Sequence, residues 1–256
     1  MDTAPPYALF YWPHIQGRGE FIRLALEDAQ TPYLDVARSP DHGGLEALRR
    51  RLRGEGDVGA VPFAPPFLDH AGRTFFQVAN ILDYLAPRLG LVPDDAVTRH
   101  EALQLQLLVA DLVAEVHDTH HPLGTSLYYE DQQPEAARRA QVFVDQRLPK
   151  FLGYFEATLA RHNRGPSLLE GGHSYVDLSL FQVLEGMTWA FPKAMRAFAP
   201  KMPGLAALHD RVAARPGIAA YLASPRRIPF NNHGIFRAYP DLDLAPSWAH
   251  DGALSP

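Results

Sequence analysis

A tyrosine at the end of a strand-like run can point its hydroxyl at the start of the helix that follows. Tyr7-Ala8-Leu9-Phe10-Tyr11 ends in this way, before the loop Trp12-Pro13-His14-Ile15-Gln16-Gly17. At a helix N-terminus the exposed N–H groups and the macrodipole favour an anion. A thiol held there by the Tyr11 hydroxyl would have its pKa lowered, which matters because the thiolate is the nucleophile. Residue pattern alone favours reading Tyr11 as one of ten tyrosines that packs beneath Trp12, and Arg18 as a surface residue or a ligand contact. Pro66, entering a strand-like run, belongs at an edge, a strand start or a cis turn. A cis bond there would turn the preceding backbone toward an extended ligand. Gln77 precedes a second helical pattern beginning near Val78, where it either caps the helix or holds a carboxylate beside the helix-end N–H groups.

The elements that must position these groups fall into two kinds. Up to about Leu91, β-rich runs at 7–11, 33–37, 67–69 and 73–76 interleave with helical patterns at 17–29 and 78–86, which predicts βα units around a small sheet. The expected core of this part is Leu9, Phe10, Ile22, Leu24, Leu26, Phe67, Leu68, Ile81, Leu82 and Leu85. Gly90-Leu91-Val92-Pro93-Asp94-Asp95 reads as a linker. From Ala96 onward only helical periods appear, at 96–117, 134–161, 177–190 and 203–214, so this part is all-α. Ser174-Tyr175-Val176-Asp177 has the form of a capping box and is structural. The expected division is 1–90, 96–224 and a tail at 225–256. The tail carries Pro225, Pro229, Pro240, Pro246 and Pro256 with Phe230, Phe236, Tyr239 and Trp248, a composition that favours an extended segment on the surface.

Composition narrows the function. A chain of 256 residues with 46% hydrophobic content can bury a full core. Its net charge of −5 argues against nucleic-acid binding, which needs a concentrated basic face. Arg49-Arg50-Arg51, with Arg53, reads as the solvated side of a helix that touches a ligand carboxylate at most. With no cysteine, disulfides, thiolate metal sites and cysteine nucleophiles are excluded, so any thiol must arrive from outside. No secretory leader and no apolar stretch near eighteen residues is present, which predicts a cytoplasmic protein that does not engage a membrane.

The order and spacing of these pieces resemble the cytosolic glutathione transferases, in particular the tyrosine-using alpha, mu, pi and sigma classes, over residues 7 to about 224. The matching pieces are Tyr7 to Pro13 with Gly17-Arg18-Gly19, Pro66-Phe67-Leu68-Asp69, Gln77-Val78-Ala79-Asn80-Ile81-Leu82 and His173-Ser174-Tyr175-Val176-Asp177. The resemblance implies a thioredoxin-like α/β N-terminal domain that binds glutathione, an all-α C-terminal domain and a two-fold homodimer. It implies glutathione as co-substrate, no metal, and a small hydrophobic electrophile as the second substrate. Tyr11 then stands where the family has its thiol-activating tyrosine, Arg18 near the glutathione cleft, Pro66 at the cis-proline and Gln77 at the γ-glutamyl end. Asp111 resembles an acid that reaches the neighbouring subunit's glutathione amine.

Two positions depart from that pattern. Val78 replaces a serine whose hydroxyl binds the γ-glutamyl carboxylate, a loss of roughly 1.5–3 kcal/mol unless another group substitutes. Pro65, just before Pro66, has no N–H for the cysteinyl part of glutathione. A co-substrate pocket is expected between the domains, bounded by Trp12 and by His117, His120 and His121, whose spacing would place three imidazoles on one helix face. That spacing is compatible with a metal, although a polar pocket wall is the reading adopted. Tyr128 and Tyr129 extend this wall, and Trp189 and Phe191 belong to the core. Three alternatives to conjugation remain: glutathione-dependent reduction or isomerisation, a non-catalytic protein whose cleft holds a ligand or partner, and a structural dimer module whose cleft binds no glutathione.

Overall fold

The computed structural model describes residues 7–56, 60–161 and 167–247. Strand β1 (Tyr7–Phe10) lies at the centre of the N-terminal part. It pairs in parallel with β2 (Tyr33–Asp35) and antiparallel with β3 (Phe67–His70), and β4 (Arg73–Phe76) completes a sheet in the order β2-β1-β3-β4. Helix α1 (Gly19–Asp28) makes the crossover between the parallel strands, which a two-residue turn cannot do. Alternation along β1 sorts its side chains. Leu9 packs with Ile22, Leu26, Leu68, Ile81 and Leu85, between the sheet and helices α1 and α3 (Val78–Leu89). Phe10 faces the other side, against Val36, Leu48 and Phe67, where α2 (Gly44–Leu52) covers the sheet. All ten residues expected in this core are buried.

The second strand is shorter than the sequence suggests, because Val36–Arg38 turns into a single 3-10 turn. Arg51 departs from the solvated face expected of the arginine run. Its guanidinium pairs with Asp69 and lies 5.5 Å from the Phe10 ring centroid and 5.4 Å from that of Phe67. It therefore clamps α2 to β3, while Arg50 and Arg53 stay exposed.

The remainder is helical: α4 (Ala96–Asp118), α5 (Gln133–Val142), α6 (Leu148–Arg161), α7 (Tyr175–Ala190), α8 (Pro192–Phe198), α9 (Pro203–Ala213) and α10 (Pro216–Leu222). The long helical period at 134–161 is interrupted by a π-turn at Phe143–Arg147 between α5 and α6. Helix α7 runs through the middle of this layer. The Ser174–Asp177 capping box starts it, with the Ser174 N–H donating to the Asp177 carboxylate at 2.7 Å. The architecture is a thioredoxin-like α/β domain joined to an all-α domain.

The tail departs from a surface segment. Ile235, Phe236 and Leu242 are buried in the main helical core, and Phe230 and Tyr239 pack against it. Gly186 of α7 makes room, since a Cβ there would run into the Phe236 ring. Trp189, expected in the core, is 40% exposed and stacks on Phe230 at 6.0 Å, whereas Phe191 is buried. Trp248 and Pro256 lie outside the described residues.

Candidate active site

Tyr11 follows β1 by one residue and is 5% exposed. Its hydroxyl oxygen accepts the Arg18 backbone N–H at 2.8 Å, at the start of α1. Gly17, at φ +45°, permits this closure: a Cβ there would collide with the Tyr11 hydroxyl. Burial raises the Tyr11 pKa above the ordinary 10, against the opposing Arg18 N–H and the charges of Arg18 and Arg23. At neutral pH Tyr11 is therefore a protonated phenol. Its oxygen is engaged by the Arg18 N–H, and Tyr11 does not itself line the neighbouring cleft.

Beside it opens a cleft of about 590 Å³ between the two domains. One wall is Arg18 and Phe21 of α1, another Pro65, Pro66 and Gln77, and the third is α4 through Leu103, Val109 and Val113. The Pro65-Pro66 bond is cis. Gln77 sits at φ 69° as the N-cap of α3 and makes no side-chain capping bond, so the first N–H groups of that helix have no cap from it. Arg18, Pro65, Pro66, Gln77 and Val78 are thus brought together around one cleft, with Tyr11 behind Arg18. Asp111 is not among them. It is exposed on another face of α4, in a separate groove of about 1750 Å³ with Leu107, Glu115, Arg147, Phe151 and Tyr154.

Helix α4 ends at Asp118, so His120 and His121 lie beyond it and do not share a helix face with His117. The three rings nonetheless meet, with centroids 4.8–5.0 Å apart. His120 is buried, with Nε2 2.8 Å from the Ile235 carbonyl oxygen, and His121 is buried beside Gln132. Burial, then the charges of Arg18, His121 and Arg237, pulls the His117 pKa down to about 4. Burial likewise pulls His120 down to about 3, against the Ile235 contact. The cluster is neutral near pH 7. Among the described residues no group of three or more His, Asp or Glu side chains is arranged to hold a metal ion.

Sequence reasoning missed the tail's part in this region. Gln16 donates its side-chain amide to the Ile228 carbonyl and receives that of Gln182 at 2.7 Å. Asn231 donates to the His14 carbonyl at 2.9 Å. Only about 10 Å³ of space remains between Gln16, Gly17, Phe230, Gly234 and Phe236. Gln106 was missed as well: it is 1% exposed on the α4 wall of the cleft, and its Oε1 has no protein partner. A buried glutamine inside an apolar helical period was the available signal. Trp12 is 37% exposed beside Tyr11, Tyr128 is exposed, and Tyr129 is buried against Tyr239.

Comparison with known proteins agrees with this fold. Residues 117–225 match the family model described as glutathione S-transferase, C-terminal domain. Glutathione S-transferase P of Bos taurus is 27% identical over 233 residues, which is 90% of this chain and 99% of that protein. The Homo sapiens protein of the same name is 28% identical over 236 residues, with 90% and 99% covered. Among solved structures, prostaglandin synthase D of Nilaparvata lugens superposes with a TM-score of 0.66 at 20% identity, covering 88% of this chain and 100% of that one. A Pi-class glutathione S-transferase of Onchocerca volvulus superposes at 0.64 with 22% identity, covering 85% and 92%. These two share the fold. No helix among the described residues is long and apolar enough to cross a membrane. The chain is thus similar to the cytosolic glutathione S-transferases, through residues 117–225 and through relatives 27–28% identical along about nine-tenths of its length.

Proposed function

We propose that the chain is a glutathione transferase that activates the thiol of glutathione with Tyr11 and adds it to a small electrophile. The observation that carries this reading is a protonated, buried phenol that accepts the N–H of Arg18, a residue lining one cleft with Pro65, Pro66 and Gln77. The Tyr11 O–H would donate to the ligand sulfur and stabilise the thiolate over the thiol, while the thiol proton passes to solvent. The sulfur then forms a C–S bond at an electron-poor carbon. With an aryl halide the C–halogen bond breaks and halide leaves with the bonding pair; with an activated alkene the resulting carbanion takes a proton from water. The α3 N-terminus and Gln77 would hold the γ-glutamyl carboxylate in place of the serine hydroxyl that Val78 lacks.

Such conjugation would serve detoxification, and the likeness to cytosolic transferases supports a place in the cytoplasm. Homodimerisation is supported by the α4/α6 groove, which would receive a second copy, and by Phe63, which is 89% exposed. Asp111 in that groove would then face the neighbouring subunit. Saturable conjugation of glutathione to chlorodinitrobenzene tests the reading. A protein that binds glutathione without catalysing that reaction would favour a second reading, a non-catalytic binder. That alternative is supported by Val78, by Pro65 and by the tail packed over Gly17.

A further inference from the structure

Arg237 of the tail and Arg18 of the cleft both act on His117, and Gly234, three residues before Arg237, approaches the Gly17 backbone next to Arg18; both arginine side chains are half-buried. Arg237 donates its Nε–H to the Gly234 carbonyl at 2.9 Å, which leaves its remaining N–H groups for another acceptor. Among the described residues neither arginine forms an ion pair with a carboxylate, although the chain as a whole is acidic at −5. A half-buried cation with no counter-charge is unfavourable unless an anion joins it. Both guanidinium charges act on His117, which is neutral near pH 7 and keeps one ring N–H to offer; Asp118, at the end of α4, acts on His121.

Position along α4 connects this pair to the cleft. Val109, Val113 and His117 are four residues apart and share a helix face, each about 6 Å beyond the last. Val109 and Val113 line the cleft with Phe21 and Arg18. An apolar ligand body against the two valines would therefore carry a substituent one turn further to His117 and Arg237.

We infer that the second substrate is an acidic electrophile, such as an aryl halide bearing a carboxylate, whose carboxylate is held by Arg237 with His117 and with Arg18 at its edge. This rests on the conjugation reading and assigns its substrate class. Glutathione also has carboxylates, so the test separates the two sources of the anion.

The experiment compares chloronitrobenzoate with chlorodinitrobenzene at saturating glutathione, each kcat/KM divided by its own uncatalysed rate. In both reactions the C–S bond forms as chloride leaves with the bonding pair. The wild-type protein should prefer the carboxylate, and Arg237→Gln should lower that preference roughly tenfold to a hundredfold, the range for a hydrogen bond to a charged group. Arg237→Lys should restore part of it by returning the charge. No preference in the wild-type protein, or an unchanged preference in Arg237→Gln, would overturn the proposal. So would a loss of glutathione affinity in Arg237→Gln with the preference intact, since the anion would then be glutathione's own. Should neither electrophile be conjugated, the conjugation reading fails, and calorimetric binding of nitrobenzoate decides the subsite separately. Binding that is lost in Arg237→Gln and partly regained in Arg237→Lys supports it; equal binding or none overturns it.

Discussion

Tyr11→Phe is expected to lower the conjugation rate roughly tenfold to a hundredfold while glutathione affinity is little changed. The substitution removes the hydroxyl and leaves the ring, which packs under Gly17 and Gly19. The loss should therefore fall on the chemical step rather than on the fold. The hydroxyl serves the thiolate more than the thiol, because a hydrogen bond to a charged acceptor is the stronger one. The variant should accordingly shift the pH profile. Less of the bound thiol ionises near neutral pH, so its rate should recover toward alkaline pH, where the thiol ionises unaided. Ultraviolet absorbance of the bound thiolate gives an independent reading, and the thiol pKa should rise in the variant. Equal rates and an equal bound-thiol pKa in the two proteins would remove Tyr11 from the mechanism.

Phe236→Ala should cost about 3–5 kcal/mol of stability, as expected for truncating a buried phenylalanine. Phe236 is 3% exposed and lies in the same core as Phe143, Phe181 and Met187. Its ring occupies the space that Gly186 leaves open on α7. Gly186→Ala alone should also be destabilising, because its Cβ would force the ring out. Placed in Phe236→Ala, the same change should be nearly neutral, since the colliding ring is gone. Contacting residues couple in this way, and a double-mutant cycle by denaturant unfolding measures it. Additive losses, or a cost below about 1 kcal/mol for Phe236→Ala, would place the tail outside the core.

The sequence made the N-terminal part legible because its signals are local. Strand alternation around Leu9 and Phe10, the helical period through Ile22 and Leu26, and the proline at 66 each report on a few neighbouring residues. The same holds for Ser174 and Asp177, whose side chain and backbone meet within one turn. The misread features depend on contacts far along the chain. Arg51 looks solvated until Asp69 and Phe67 are brought across to it. Ile235 and Phe236 sit in a proline-rich run without a period, and their burial depends on Gly186 and on the Ile235 carbonyl meeting His120, 115 residues away. Trp189 lies on a helix that is apolar nearly all round, and sequence alone does not say which side the tail leaves open. The histidine trio was legible as a cluster but not as a shape, because α4 ends at Asp118 and the last two rings approach from the turn beyond it.

The cleft of Arg18, Pro65, Pro66 and Gln77 should receive glutathione despite the valine at 78 and the proline at 65. Calorimetric titration of the full chain with reduced, oxidised and S-alkylated glutathione tests it most directly. Micromolar binding of the reduced form at one site per chain is the expected result. Absence of binding by all three forms would contradict it.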